Sequence, residues 1–282
     1  MGLLANNIGR LVIIGGAEDK EDDCVILREV VKLAGAREAR LLVLTAATSQ
    51  PQQVGAVYRQ VFTRLGAAEV GVLDISDRLQ AEDPLLVGLV PEASGIFFTG
   101  GDQLRITSLI GGTALFHALG AAYRRGVVIA GTSAGASVMS STMIIDGSGD
   151  QEPAVGGVRL AAGLGLISDV VVDQHFAQRG RLGRLLAAVA QNPYVLGIGI
   201  DENTAIVVDG PHFEVIGAAT VSVLDGQHIA FTNVSEVSPQ GALALAEVRL
   251  HILPQGYAFD LQTRQPWSDA ATANSRIAKG GS

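Results

Sequence analysis

The chain has 282 residues, of which 48% are apolar and 17% charged, and its formal net charge is −8. This length holds one large α/β domain or two small ones, and the apolar share excludes a disordered chain. The acidic balance argues against nucleic acid or an anionic membrane as the main partner and suits a cationic substrate.

Apolar runs alternate with longer helical patterns. Arg10 to Ile14 predicts a first strand that stops at Gly15-Gly16, and a helix follows from about Asp22 to Leu33. Arg40 to Leu44 predicts a strand, Pro51 to Leu65 a helix, Glu69 to Leu73 a strand and Pro84 to Val90 a short helix. Gly95 to Phe98 predicts a strand that stops at Thr99-Gly100-Gly101-Asp102-Gln103. Gly111 to Arg125 is helical in pattern, and Val127 to Ala130 is a short apolar run of buried-strand type. Ala134 to Met143 is small and apolar, as a helix packed on a sheet should be. Asp146 to Arg159 is polar and Gly-rich, a loop or hairpin. Asp169 to Asp173 predicts a strand, Gly180 to Ala190 a helix and Val195 to Ile200 a strand. Short β segments follow at Ala205 to Val208, His212 to Ile216, Thr220 to Leu224 and Val248 to Leu253, and the stretch from Asp269 to Ser282 is expected to fray.

Strands alternating with helices predict an α/β fold: a doubly wound, mainly parallel sheet in a single catalytic domain, 1–282, with extra β segments in the C-terminal third. Ligands of such sheets sit beyond the carboxyl ends of the strands. Gly15-Gly16, Gly100-Gly101 and Gly131 all fall at such ends. The chain has no internal repeat, no P-loop and no H-E-x-x-H pattern. Its single cysteine, Cys24, excludes an intrachain disulfide and a multi-cysteine metal site; Val25, Ile26 and Leu27 beside it suggest an ordinary helical thiol. Met1 to Arg10 lacks the basic region and long apolar core of a signal peptide. No apolar run reaches the roughly 18 residues of a membrane span, so the cytoplasm is the expected compartment.

Gly131-Thr132-Ser133-Ala134-Gly135 follows an apolar strand and matches the nucleophile elbow, G-x-S-x-G. A serine on such a strand-to-helix turn projects its hydroxyl above the sheet edge. Flanking glycines let the backbone fold tightly around it. The following helix offers its N-terminal N–H groups to an oxyanion. The pattern names a reaction class, covalent acyl transfer by Ser133.

A serine hydroxyl needs a base, and the base an orienting acid. The chain has five histidines. His117 lies on a helical pattern and reads as a core or interface residue, while His212, His228 and His251 lie in the late β region. His175 follows the apolar strand ending at Asp173, at the edge where the elbow sits, and is the candidate base. Asp201 and Glu202 both follow the strand that ends at Ile200. Alternation sends their side chains to opposite sides, and spacing leaves open which one meets the histidine. The N–H of Ala134 is the expected first oxyanion donor, and Gly101 is a reasonable second. Gln178 to Arg184 carries Arg179, Arg181 and Arg184. This is either a solvated helix start or a clamp for substrate carboxylates.

Gly15-Gly16, Phe98 to Gln103, Gly131 to Ala136, Asp173-Gln174-His175-Phe176 with the arginines behind it, and Gly199-Ile200-Asp201-Glu202-Asn203 together resemble the serine peptidase family that contains cyanophycinase and aspartyl dipeptidase. The blocks span residues 10–210. The resemblance implies a fold like that of the class I glutamine amidotransferases, which is flavodoxin-like. It implies Ser133 as nucleophile, His175 as general base and Glu202, rather than Asp201, as the orienting acid. It implies substrate contacts from Gln103, Asp173, Gln174, Arg179, Arg181 and Arg184. The implied activity is serine-type exopeptidase cleavage of cyanophycin, a poly-aspartate backbone with arginine on each side-chain carboxyl, to β-aspartyl-arginine dipeptides. An α-aspartyl dipeptidase or a non-catalytic anion-binding relative are the alternatives. No metal or other cofactor is expected, and a homodimer is the expected assembly.

Overall fold

The computed structural model describes residues 8–147, 153–238 and 241–268. Strands β1 (Leu11–Ile14), β2 (Arg40–Leu44), β3 (Glu69–Leu73), β4 (Gly95–Phe98) and β5 (Val128–Thr132) run parallel in the order β3-β2-β4-β5-β1. Every residue of β1, β4 and β5 is buried. Burial on both faces is why these segments read as continuous apolar runs. Alternation survives in their packing. Leu11 and Ile13 join a cluster with Leu44, Phe98 and Ile129, whereas Val12 and Ile14 join one with Phe62, Phe97 and Ala130. Helices α1 (Val25–Leu33) and α2 (Pro51–Arg64) cover the second cluster. Helices α3 (Pro84–Val87), α4 (Gln103–Ile110), α5 (Ala114–Arg124) and α6 (Ala134–Ser137) cover the first.

After α6 the chain makes an antiparallel hairpin of β6 (Thr142–Asp146) and β7 (Arg159–Ala162). A second sheet follows. Its strands β8 (Val170–Gln174) and β9 (Leu196–Ile200) are parallel, joined through helix α7 (Leu182–Gln191). Strands β10 (Thr204–Asp209) and β11 (His212–Gly217) return to the central sheet, antiparallel beside β1. Strand β12 (Thr220–Asp225) pairs with β9. A short ribbon of β13 (Phe231–Thr232) and β14 (Leu245–Ala246) precedes β15 (Arg249–Pro254), which pairs with β12. Strands β16 (Tyr257–Asp260) and β17 (Gln265–Ser268) extend the central sheet beyond β11. One face of the second sheet, with Val170, Val172, Ile198 and Val223, packs on the first cluster. The other, with Val171 and Leu224, packs on Phe176, Leu185 and Val189.

Several expectations shift. The helix expected from Ala134 to Met143 is only Ala134–Ser137. Ser140 Oγ donates to the Ser137 carbonyl (3.1 Å) and to the Thr142 carbonyl (2.6 Å), which ends the helix and starts β6. The helix expected from Gly111 to Arg125 begins at Ala114, and Gln103–Ile110 forms a helix of its own, capped by Asp102 through the N–H groups of Leu104 and Arg105. The first helix starts at Val25 rather than Asp22, because the Asp19 carboxylate takes up the N–H groups of Glu21, Asp22 and Cys24 in a turn. The strands expected at Asp169 to Asp173 and Val195 to Ile200 form in the second sheet rather than the central one. The expected fraying of 269–282 and part of the Asp146 to Arg159 segment lie outside the described residues. Among the described residues, no single helix is long and apolar enough to cross a membrane.

Candidate active site

Two pairs of parallel strand ends meet at this site. Register sets Ile14 beside Thr132, and Gln174 beside Ile200. The residues that leave the strands are Gly15, Ser133, His175 and Asp201. The turn after β1 clips these segments together. The N–H of Ser133 donates to the Ile14 carbonyl (3.0 Å), that of His175 to Gly15 (2.8 Å) and that of Asn203 to Gly16 (2.8 Å). Consecutive carbonyls of one turn thus hold three segments that lie far apart in sequence. Glycine is required there. A Cβ on Gly15 would lie 2.1 Å from the Asp201 carbonyl oxygen, and one on Gly16, whose φ is +102°, 2.3 Å from His175 Cε1.

Ser133 has φ 52° and ψ −111°, outside the regions that an L-residue adopts without strain. The elbow is packed too tightly for side chains on either flank. A Cβ on Gly131 would lie 2.4 Å from the Gly135 carbonyl oxygen, and one on Gly135 2.4 Å from that of Phe98. Ala134 is the first residue of α6, so its N–H has no acceptor four residues back. The loop after β4 faces the serine, because a Cβ on Gly100 would lie 3.4 Å from Ser133 Cβ and 4.0 Å from Oγ. Gly101 follows with φ +145°, pressed against the Ala47 carbonyl.

His175 Nε2 lies 2.9 Å from Ser133 Oγ, and Nδ1 lies 2.6 Å from Glu202 Oε1. The His175 side chain is buried, 10% exposed, while that of Glu202 is 36% exposed. Burial lowers the His175 pKa from its ordinary value and outweighs the opposing pull of Glu202; Arg179 and Arg181 push the same way as burial. A ring held neutral keeps one nitrogen free to accept a proton. Asp201, the other candidate acid, is turned away. It accepts from the Ala177 N–H (3.0 Å) and from the Thr220 hydroxyl (2.8 Å), tying the histidine loop to β12. Sequence reasoning missed two residues here. Gln178 Oε1 accepts the Glu202 N–H (3.0 Å), and Asn203, at φ 48°, turns the chain out of β9 while its side chain accepts the Asp19 N–H (2.9 Å). The tolerance of asparagine for left-handed φ was the available signal.

The arginine run divides. Arg179 is exposed. Arg184 grips both oxygens of Asp173, with Nε 2.7 Å from Oδ2, and also donates to the Gly147 carbonyl (3.0 Å). Arg181 lies 3.3 Å from Asp173 Oδ1 and donates to the Gln174 carbonyl. Asp173 has no exposed surface, so its carboxylate faces these arginines rather than solvent. Burial brings the Arg181 pKa down to about 10, still charged at neutral pH. Gln174 is 6% exposed, and Gln103 Nε2 donates to the Ile144 carbonyl (2.9 Å). His117, expected in a core or interface, is exposed on α5 against the Phe116 ring; His212 is paired with Asp260, and His228 is exposed. Cys24 is buried where α1 begins. Among the described residues, no group of three or more His, Cys, Asp or Glu side chains could hold a metal ion.

The chain as a whole has known relatives. Residues 11–216 match the model of peptidase family S51. The chain is 42% identical over 258 residues to a cyanophycinase of Geminocystis herdmanii, covering 91% of this chain and 95% of that one. It is 40% identical over 256 residues to a cyanophycinase of a Nostoc species, covering 90% and 86%. Among solved structures, a peptidase from an acI-B1 Actinobacterium superposes with a TM-score of 0.63 at 25% identity, covering 86% of this chain and 96% of that one.

Proposed function

The chain belongs to peptidase family S51 and is a serine-type peptidase, and we propose that it cleaves cyanophycin, releasing β-aspartyl-arginine dipeptides. The observation that carries the reading is the line Ser133 Oγ, His175, Glu202, with separations of 2.9 and 2.6 Å. The identity of about 40% to cyanophycinases along nearly the whole chain supports the substrate.

With Nδ1–H donated to Glu202, His175 Nε2 is the acceptor for the Ser133 proton. Ser133 Oγ attacks the carbonyl of a backbone amide in the polymer as that proton moves to Nε2. The oxyanion meets the N–H groups of Ala134 and Gly101. His175 then gives the proton to the departing amine, leaving an ester on Ser133. Water, deprotonated by His175, attacks that ester and frees the product acid and the serine. No step calls for a metal. Arg179, exposed beside the histidine, is the group offered to a substrate carboxylate. Gln103 and Gln174 are proposed as further substrate contacts, with Asp173 acting through Arg181 and Arg184. We place the working enzyme in the cytoplasm as a homodimer, the commonest closed assembly. Incubation with purified cyanophycin, followed by mass analysis of the soluble fraction, tests the reading. β-Aspartyl-arginine is expected. Hydrolysis of α-aspartyl dipeptides with the polymer left intact would overturn it.

A further inference from the structure

Glu18 lies outside the groups used above, yet it is 4% exposed and all of its carboxylate is engaged. Oε1 accepts from the Tyr58 hydroxyl at 2.5 Å and meets Lys20 Nζ at 2.8 Å. Oε2 accepts from the Thr132 hydroxyl at 2.5 Å. Thr132 is the last residue of β5 and directly precedes Ser133. Glu18 itself follows the Gly15-Gly16 turn, whose backbone holds the Ser133, His175 and Asn203 segments. On its other side, the Tyr58 ring is anchored in the core 4.7 Å from that of Phe97.

Burying a carboxylate is unfavourable unless charged partners and hydrogen bonds compensate. An uncharged side chain would fill this space without that penalty, so the charge asks for a purpose. Strained backbone at a reactive residue persists only where its surroundings over-determine it. The bond to Ile14 fixes the N–H of Ser133. The Glu18 to Thr132 bond fixes the residue before it, and hydrogen bonds to an ionised acceptor are roughly twice as strong as neutral ones.

We propose that Glu18 is a positioning residue for the reaction: through the Thr132 hydroxyl it sets the peptide that enters Ser133, and so aims Oγ at His175. Tyr58 and Lys20 hold Glu18 in place for this task. The inference rests on the reading of Ser133 as nucleophile.

Thr132→Val removes the hydroxyl at nearly constant volume. With cyanophycin as substrate, kcat should fall roughly 10- to 100-fold, the scale of a small misplacement of reacting groups. KM should hold, and the acid limb of the pH profile, which His175 sets, should not move. Labelling of Ser133 by a fluorophosphonate should slow in step with kcat in protein shown by thermal melting to be folded. Thr132→Ser, which keeps the hydroxyl, should restore most of the rate. Tyr58→Phe, which removes one donor from Glu18, should lower kcat by less and decides the matter if Thr132→Val does not fold. Wild-type kcat in Thr132→Val and Tyr58→Phe, a rise in KM alone, or no rescue by Thr132→Ser would overturn the assignment. Turnover by Ser133→Ala would instead remove the nucleophile reading, and this inference with it.

Discussion

Gly16→Ala tests whether the turn after β1 sets the histidine. The added Cβ would stand 2.3 Å from His175 Cε1 and 2.5 Å from Nε2. Carbon atoms in contact sit about 3.5 Å apart, so the ring must retreat by about 1.2 Å. That retreat breaks the 2.9 Å contact between Nε2 and Ser133 Oγ. A displacement of this size costs about 10²-fold in rate. The substitution also places a side chain at φ +102°, a strain of about 1–3 kcal/mol. Folded domains are stable by about 5–15 kcal/mol, so the variant should still fold. Steady-state release of β-aspartyl-arginine gives kcat, and a thermal melt shows the folded fraction. A folded Gly16→Ala protein with kcat near wild type would refute the claim that this turn positions the base.

Burial holds the His175 pKa below its ordinary value, and a histidine proposed as general base must be neutral to accept a proton. The acid limb of the kcat/KM profile should therefore lie below about pH 6.5, the ordinary histidine value. Glu202 pulls that pKa up, so Glu202→Gln should move the limb further down while kcat falls by up to roughly 10⁴-fold. Arg179 pushes it down, so Arg179→Gln should move the limb up. Asp173→Asn leaves Arg184 and Arg181 without their buried carboxylate, a loss of about 3–5 kcal/mol seen as a thermal midpoint lower by roughly 10 °C. Arg179→Ala touches an exposed group and should raise KM with the melting curve unchanged.

Strands β1, β4 and β5 were legible because burial on both faces leaves almost only apolar residues, a signal that needs no partner to be read. The elbow was legible because a strand, two glycines and a serine at fixed spacing have few other uses. Sheet membership was not. Val170 to Gln174 is as buried as Leu11 to Ile14, and nothing local says that it pairs with β9 instead of β1. Helix α4 was hidden behind the Gly100-Gly101 turn, although Asp102 carried the cap signal. Alternation could not choose between Asp201 and Glu202. The choice depends on Asn203 turning the chain and on Ala177 and Thr220 engaging Asp201, contacts between distant segments. The arginines were visible as a cluster. That Arg184 turns inward to Asp173 while Arg179 stays in solvent follows from the course of the chain into α7, which spacing alone does not fix.

The most direct measurement is mass spectrometry of enzyme quenched in acid during turnover of cyanophycin, with peptide mapping of any adduct. An aspartyl ester on Ser133, lost in Ser133→Ala together with all product, is the expected result. Steady turnover by Ser133→Ala, or an adduct on any other residue, would contradict it.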